Sequence, residues 1–201
     1  MKALLLLVAL TISAPPAIAQ SHEELSPEQL VRRVTADVLD AIQKDKALQA
    51  GDRDKAIALA EQKVLPLIDF RAMTRTAAGR VWREATPEQR DRLTAEFRAM
   101  LVRTYAKAID VYRGQTMRVL PVRMPPDARE VTVRNQYLSP GKAPLPIDYQ
   151  MRKSAEGWKI VDIVVDGISL ALTYRTEFDE EARRSGIDGV IARLSEKNAG
   201  R

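Results

Sequence analysis

Apolar side chains recur along this chain at two periods, and the switch between them separates a helical first half, a stranded middle and a helical end. Behind Ser26-Pro27-Glu28-Gln29 the residues Leu30, Val34, Val38 and Ile42 follow one another by four, so they share one face of a helix. Ser26 is placed to cap that helix, Pro27 to open it and Gln29 to close a capping box. The stretch Arg53 to Val64 carries Ile57, Ala60 and Val64 in the same fashion and stops at Pro66. Asp69 caps a shorter helix containing Phe70 and Met73, and Gly79 stops it. Thr86-Pro87-Glu88-Gln89 repeats the start signal ahead of the longest stripe in the chain, Leu93, Phe97, Leu101, Tyr105 and Ile109, with Met100 and Ala108 beside it.

After Gly114 the period falls to two. Val131, Val133, Asn135 and Tyr137 alternate with Thr132, Arg134 and Gln136, and Ile147, Tyr149 and Met151 alternate with Asp148, Gln150 and Arg152. Ser139-Pro140-Gly141 and Glu156-Gly157 supply turns, and Met117 to Val122 is a further strand interrupted by Pro121. From Trp158 to Val165 both faces are apolar, with Val161, Ile163 and Val165 on one side and Trp158, Ile160 and Val164 on the other, as in a central strand. Beyond Gly167 a helical region starts near Ser169, carries Leu170, Tyr174 and Phe178 on one stripe and Ile168 and Leu172 on another, and is punctuated by Gly186 and Gly189 before a short helix with Ile191 and Leu194. The order is α+β: helices, a four-stranded antiparallel meander, then closing helices. Periodicity alone leaves open whether helices and sheet meet in a solid core or around a hollow.

The start of the chain sets the expected compartment. Met1-Lys2 precedes a run of about ten mainly apolar residues, half of the roughly 20 that span a bilayer, and Ala17-Ile18-Ala19 fits the small-x-small rule of signal peptidase. Residues 1–19 are therefore read as a leader cleaved before Gln20, and 20–201 as one exported domain in the periplasm. Lys+Arg number 32 against 27 Asp+Glu, a net +5 that drops by one with Lys2. A basic surface suits nucleic acid, anionic lipid or an acidic partner, and export disfavours the first; the same charge also serves plain solubility.

Composition also removes chemistry. There is no Cys, so thiolate nucleophiles, disulfides and Cys-ligated zinc are excluded; the one His, His22, cannot supply a multi-histidine metal site, and its place near the start of the chain argues against a Ser-His-Asp triad. Nine glycines are scattered without a phosphate-loop pattern. Asp162 and Asp166 stand at strand spacing around Val164 and read either as an acid–base pair or as turn and cap formers. A small enzyme with Asp148 and Asp162 and with Tyr105 or Tyr149 around an apolar pocket, of the ketosteroid-isomerase kind, is one alternative, although alternation turns Asp148 away from Tyr149. An exported adaptor with a solid core is another.

The block Gly157-Trp158-Lys159-Ile160-Val161-Asp162-Ile163-Val164-Val165-Asp166-Gly167-Ile168-Ser169-Leu170, followed by Tyr174-Arg175 and Phe178, resembles the G-W-K-V-x-D-V-x-V-E-G-V-S-L … Y-R-x-x-F signature of the MlaC family, the toluene-tolerance proteins. Pro66, Asp69-Phe70, Gly79 to Trp82, Phe97, Leu101, Thr104-Tyr105, Ile147-Asp148-Tyr149 and Gly186-Ile187-Asp188-Gly189-Val190-Ile191 agree, with Asp166 in place of Glu and Ile168 in place of Val. The resemblance implies a nuclear-transport-factor-like (NTF2-like) cone, helices wrapped on a twisted antiparallel sheet, with phospholipid as bound ligand and no cofactor, metal or catalysis. It implies as partners an inner-membrane ABC transporter with a lipid-transfer ring of the MCE type and an outer-membrane lipoprotein–porin complex, between which phospholipid is shuttled to keep outer-membrane asymmetry. The expected wall of the pocket is Phe97, Leu101 and Tyr105 on the long helix; Val133, Ile147, Tyr149, Val161, Ile163 and Val165 on the sheet; and Ile168, Leu172 and Tyr174 at the closing helix. Arg134 and Arg152 are the expected basic groups near its mouth.

Overall fold

The structure, a computed structural model, describes residues 25–106 and 114–200. The leader with its cleavage point, and Ala108 and Ile109 of the long stripe, lie outside them. Helix α1 (Pro27–Lys44) opens as its sequence requires: Ser26 Oγ accepts from the Gln29 amide while the Gln29 side chain accepts from the Ser26 amide. Helices α2 (Lys46–Gln49) and α3 (Arg53–Lys63) follow, the first of them unanticipated and capped by Asp45. Pro66 falls in a 3-10 turn, Leu65–Leu67. Helices α4 (Phe70–Ala78) and α5 (Arg80–Glu84) hinge at Gly79, whose φ of 54° suits glycine. The long helix α6 (Pro87–Ala106) starts on the Thr86/Gln89 capping box.

Strands β1 (Thr116–Val119), β2 (Glu130–Leu138), β3 (Leu145–Ser154) and β4 (Gly157–Val165) form the expected antiparallel meander, and a two-residue β5 (Ile168–Ser169) adds a fifth strand. Helix α7 (Leu170–Thr173) leads into α8 (Arg175–Asn198), which bends at Gly186 (φ 69°). A Cβ on Gly189 would stand 2.2 Å from the Ser185 Cβ, so only glycine lets the bent turn close.

Two corrections concern β4. Met151 pairs with Ile160 and Gln150 with Asp162, which leaves Val161 without a partner in the register. This one-residue bulge breaks the alternation: Ile160 and Ile163, expected on opposite faces, come to the same side, opposite Met151 and Tyr149 respectively. Asp166 falls beyond the end of β4 at Val165, an exposed turn residue at φ 49°, so it does not share a strand face with Asp162. Nor is β4 flanked by two long strands. One edge pairs with β3, while the other carries only β5 and a parallel bridge to Ile68, beside which the Asp69 amide donates to the Ile160 carbonyl at 2.8 Å.

The apolar interior is divided. Met73, Val81, Trp82, Leu93, Phe97, Phe178, Val190 and Leu194 make a helical core in which α6 packs on α8 and α4. Val31 of α1 sits against Val119, Val133, Met151, Trp158 and Ile160 in a second core under the sheet. Two polar contacts lock α1 there: Arg32 donates to the Val119 carbonyl at 2.6 Å, and Glu28 accepts from the Val122 amide at 2.8 Å.

Candidate functional site

Between these two cores helices and sheet do not close. A hollow of about 310 Å³ lies under α1 and α3, bounded by Val31, Val34, Val38 and Ile42 from α1, Ala56, Leu59 and Ala60 from α3, and Met117, Tyr137, Tyr149, Ile160 and Ile163 from the sheet. A second of about 180 Å³ lies between α3, α4 and α6, bounded by Ile57, Phe70, Met73, Leu101, Val102, Tyr105 and Leu170. Ala60, Val64 and Ile163 line both, so the two are lobes of one site divided by those three side chains. The bulge is what turns Ile163 inward to form this divide.

Among the described residues no charged side chain lines either lobe. The polar groups of the larger lobe are Thr35, Gln115, Thr116, Tyr137 and Tyr149; Thr116 is exposed, which places the wet end of the lobe at the start of β1. Tyr149 keeps some surface open to the lobe, yet its hydroxyl has little water around it, and burial pushes its pKa up to about 12. That hydroxyl rests 3.7 Å from the Met117 sulfur. Tyr174 is likewise pushed up to about 12, first by burial and then by neighbouring Tyr105. Both phenols stay neutral, and the walls that the described residues form offer mainly apolar contact.

Four of the twelve expected wall residues border this space: Leu101, Tyr105, Tyr149 and Ile163. The other eight lie elsewhere. Phe97 and Val133 are fully buried in the helical and sheet cores. Tyr174 stacks edge-on against Phe97 at 5.3 Å. Val165 and Ile147 face each other across β4 and β3 beyond the lobes, and Val161 is the bulged residue. Ile168 and Leu172 stand 64% and 52% exposed on the surface. What periodicity missed is the α1 and α3 contribution. Val34, Val38, Ile42, Ala60 and Val64 were visible as stripes, but a stripe does not say whether the surface opposite touches it.

The acid–base arrangements do not assemble either. Asp148 pairs in register with Arg134, on the face opposite Val133 and Tyr149. Asp162 is buried and accepts from backbone and Ser169. Arg134 and Arg152 share that outer face, where Arg152 holds Glu130 at 2.9 Å, so they flank no opening of the lobes.

The MlaC protein family model matches residues 32–196. The chain belongs to the MlaC family. Toluene tolerance protein ttg2D of Pseudomonas putida is 25% identical over 165 residues, 81% of this chain and 76% of that one. The intermembrane phospholipid transport system binding protein MlaC of Haemophilus influenzae is 21% identical over 176 residues, 86% of this chain and 82% of that one. A phospholipid-binding protein from Ralstonia solanacearum, solved in complex with a phospholipid, superposes with a TM-score of 0.79 at 36% identity, covering 88% of this chain and 98% of that one.

Several residues of the MlaC-like signature do structural work around the lobes. Arg175 donates to the Thr76 carbonyl at the end of α4, its guanidinium lying against Gly79, where a Cβ would come within 2.9 Å. Phe178 meets Phe97 at 5.5 Å and holds α8 against α6. Asp69 caps α4 on the Ala72 amide at 2.8 Å, and Asp188 on α8 takes Arg92 of α6 at 2.6 Å.

Proposed function

We propose that this MlaC-family chain is a periplasmic phospholipid carrier, exported by cleavage of residues 1–19, that houses acyl chains in its two-lobed hollow. It hands lipid between an inner-membrane ABC transporter bearing a lipid-transfer ring and an outer-membrane lipoprotein–porin complex, and so maintains the asymmetry of the outer membrane. The observation that carries the proposal is the hollow itself, lined among the described residues by apolar or uncharged groups, in a fold shared with a phospholipid-bound relative.

The physics of the cargo explains the need. An acyl tail of about 14 methylenes gains roughly 11 kcal/mol on leaving water, at about 0.8 kcal/mol each, so a two-tailed lipid does not cross an aqueous space unaided. Apolar walls replace the bilayer without directed bonds, so chain length is weakly discriminated. A phosphate taken into such apolar walls is costly to bury, so the headgroup stays at the Thr35, Gln115 and Thr116 end in water. Catalysis has no place in this scheme. The test is transfer of a fluorescent phospholipid from donor to acceptor vesicles across a dialysis barrier. The carrier accelerates it in proportion to its concentration; transfer at the spontaneous rate contradicts the proposal.

A further inference from the structure

Asp162 is the one acid buried among the described residues, at 4% exposure, and no ion pair among them includes it. Its carboxylate is held by three donors instead: the Ile163 amide at 2.8 Å, the Ala171 amide at 3.2 Å and the Ser169 hydroxyl. Ser169 Oγ in turn accepts from the Leu172 amide at 3.0 Å, and the Thr173 hydroxyl donates to the Ser169 carbonyl at 2.8 Å. One side chain thus joins the backbone of Ile163, which divides the lobes, to the first turn of α7, whose Leu170 walls the smaller lobe.

Apolar burial fixes α7 from one side only. Of its four residues Ala171 is fully buried, Leu170 borders the lobe, and Leu172 and Thr173 are exposed. A four-residue element with half its residues exposed opens readily unless polar contacts restrain it. Hydrogen bonds to an ionised carboxylate are strong, and removing one leaves a buried charge under-satisfied. Resting on the carrier function above, we propose that Asp162 is a positioning residue for the bound lipid: through Ser169 and Ala171 it clamps α7, and with it Leu170, over the smaller lobe, and so sets how fast an acyl chain leaves.

The test preloads the protein with a fluorescent phospholipid and follows its release into excess phosphatidylethanolamine–phosphatidylglycerol vesicles. Ser169→Ala is expected to release about tenfold faster, the loss of one charge-assisted contact. Ser169→Thr, which keeps the hydroxyl, is expected to release at the parental rate. Leu194→Ala, a cavity in the helical core away from both lobes, is expected to lower the melting temperature with release unchanged. A Ser169→Ala rate equal to the parent, or raised no more than by Leu194→Ala, overturns the clamp. Should Ser169→Ala fail to fold, hydrogen exchange on the unsubstituted protein decides: the Ala171 and Leu172 amides are expected to slow at least about tenfold between the emptied and loaded states, and unchanged exchange overturns the proposal. If the parent takes up no phospholipid, the carrier function itself has failed and the clamp with it; loading with unaltered release removes the clamp alone.

Discussion

Ala60→Phe is the substitution that separates a hollow from a solid core. Ala60 lies on the divide and lines both lobes. A cavity of about 150 Å³ accepts a benzene ring, so a phenyl group placed here fills about half of the 310 Å³ lobe or most of the 180 Å³ lobe. Denying a tail about seven methylenes of contact costs some 5 to 6 kcal/mol at about 0.8 each, close to four decades in affinity. The emptied protein, by contrast, gains apolar contact where it had space, so its melting temperature is expected to hold or rise. Had helices and sheet been packed solid, the added ring would overpack them and cost about 1–3 kcal/mol. Phosphorus assay of bound lipid, with calorimetry on the delipidated protein, reads both quantities. Parental lipid content, or a sharp drop in stability, refutes the reasoning.

Leu101→Glu puts a carboxylate into the smaller lobe and is expected to strip bound lipid, whereas Val165→Glu, beyond the lobes, is expected to leave it; mass spectrometry of extracts distinguishes them, and equal lipid content in the two variants contradicts the assignment. Phe97→Ala is expected to cost about 3–5 kcal/mol of stability, since its ring is fully buried against Tyr174 and Phe178, and denaturant unfolding checks it. The Glu28 carboxyl lies below its ordinary 4.5, first because the Val122 amide donates to it and then because Arg32 stands beside it. A lowered folded pKa means stability that is present above about 4.5 and lost as pH falls through the folded value, so docking of α1 on β1 is expected to weaken below about pH 4.5. Amide exchange along α1 between pH 6 and 3 tests this, and an unaltered acid profile in Glu28→Gln goes against it.

Most of the fold could be read from the chain because the deciding signals are local. The capping boxes at Ser26 and Thr86, the stop at Gly79 and the two-residue period of β2 and β3 each act within a few residues. The bulge at Val161 could not be read so, because a valine that leaves the register looks no different from one that keeps it. The facing of Ile163 and Val165 relative to Ile160 is therefore the reverse of what alternation predicts, whereas Asp166 parts from Asp162 for another reason, the end of β4 at Val165. The site was legible only in part, for a related reason. Phe97 and Leu101 share the strongest stripe in the chain, yet Phe97 is consumed by α8 while Leu101, one turn on, meets open space. Which apolar residues face a neighbour and which face a gap is decided by helix crossings that no single stripe encodes. Asp162 shows the reverse case: it was conspicuous in the sequence as a candidate acid, and its surroundings make it a backbone clamp.

The most direct measurement is mass spectrometry of the protein purified without added lipid, first under native conditions and then on its denatured extract. A carrier with this hollow is expected to appear with the mass of the mature chain plus a phospholipid, and the extract to contain that phospholipid in near-stoichiometric amount. A bare chain mass together with a lipid-free extract, from protein that is folded and monodisperse, contradicts it.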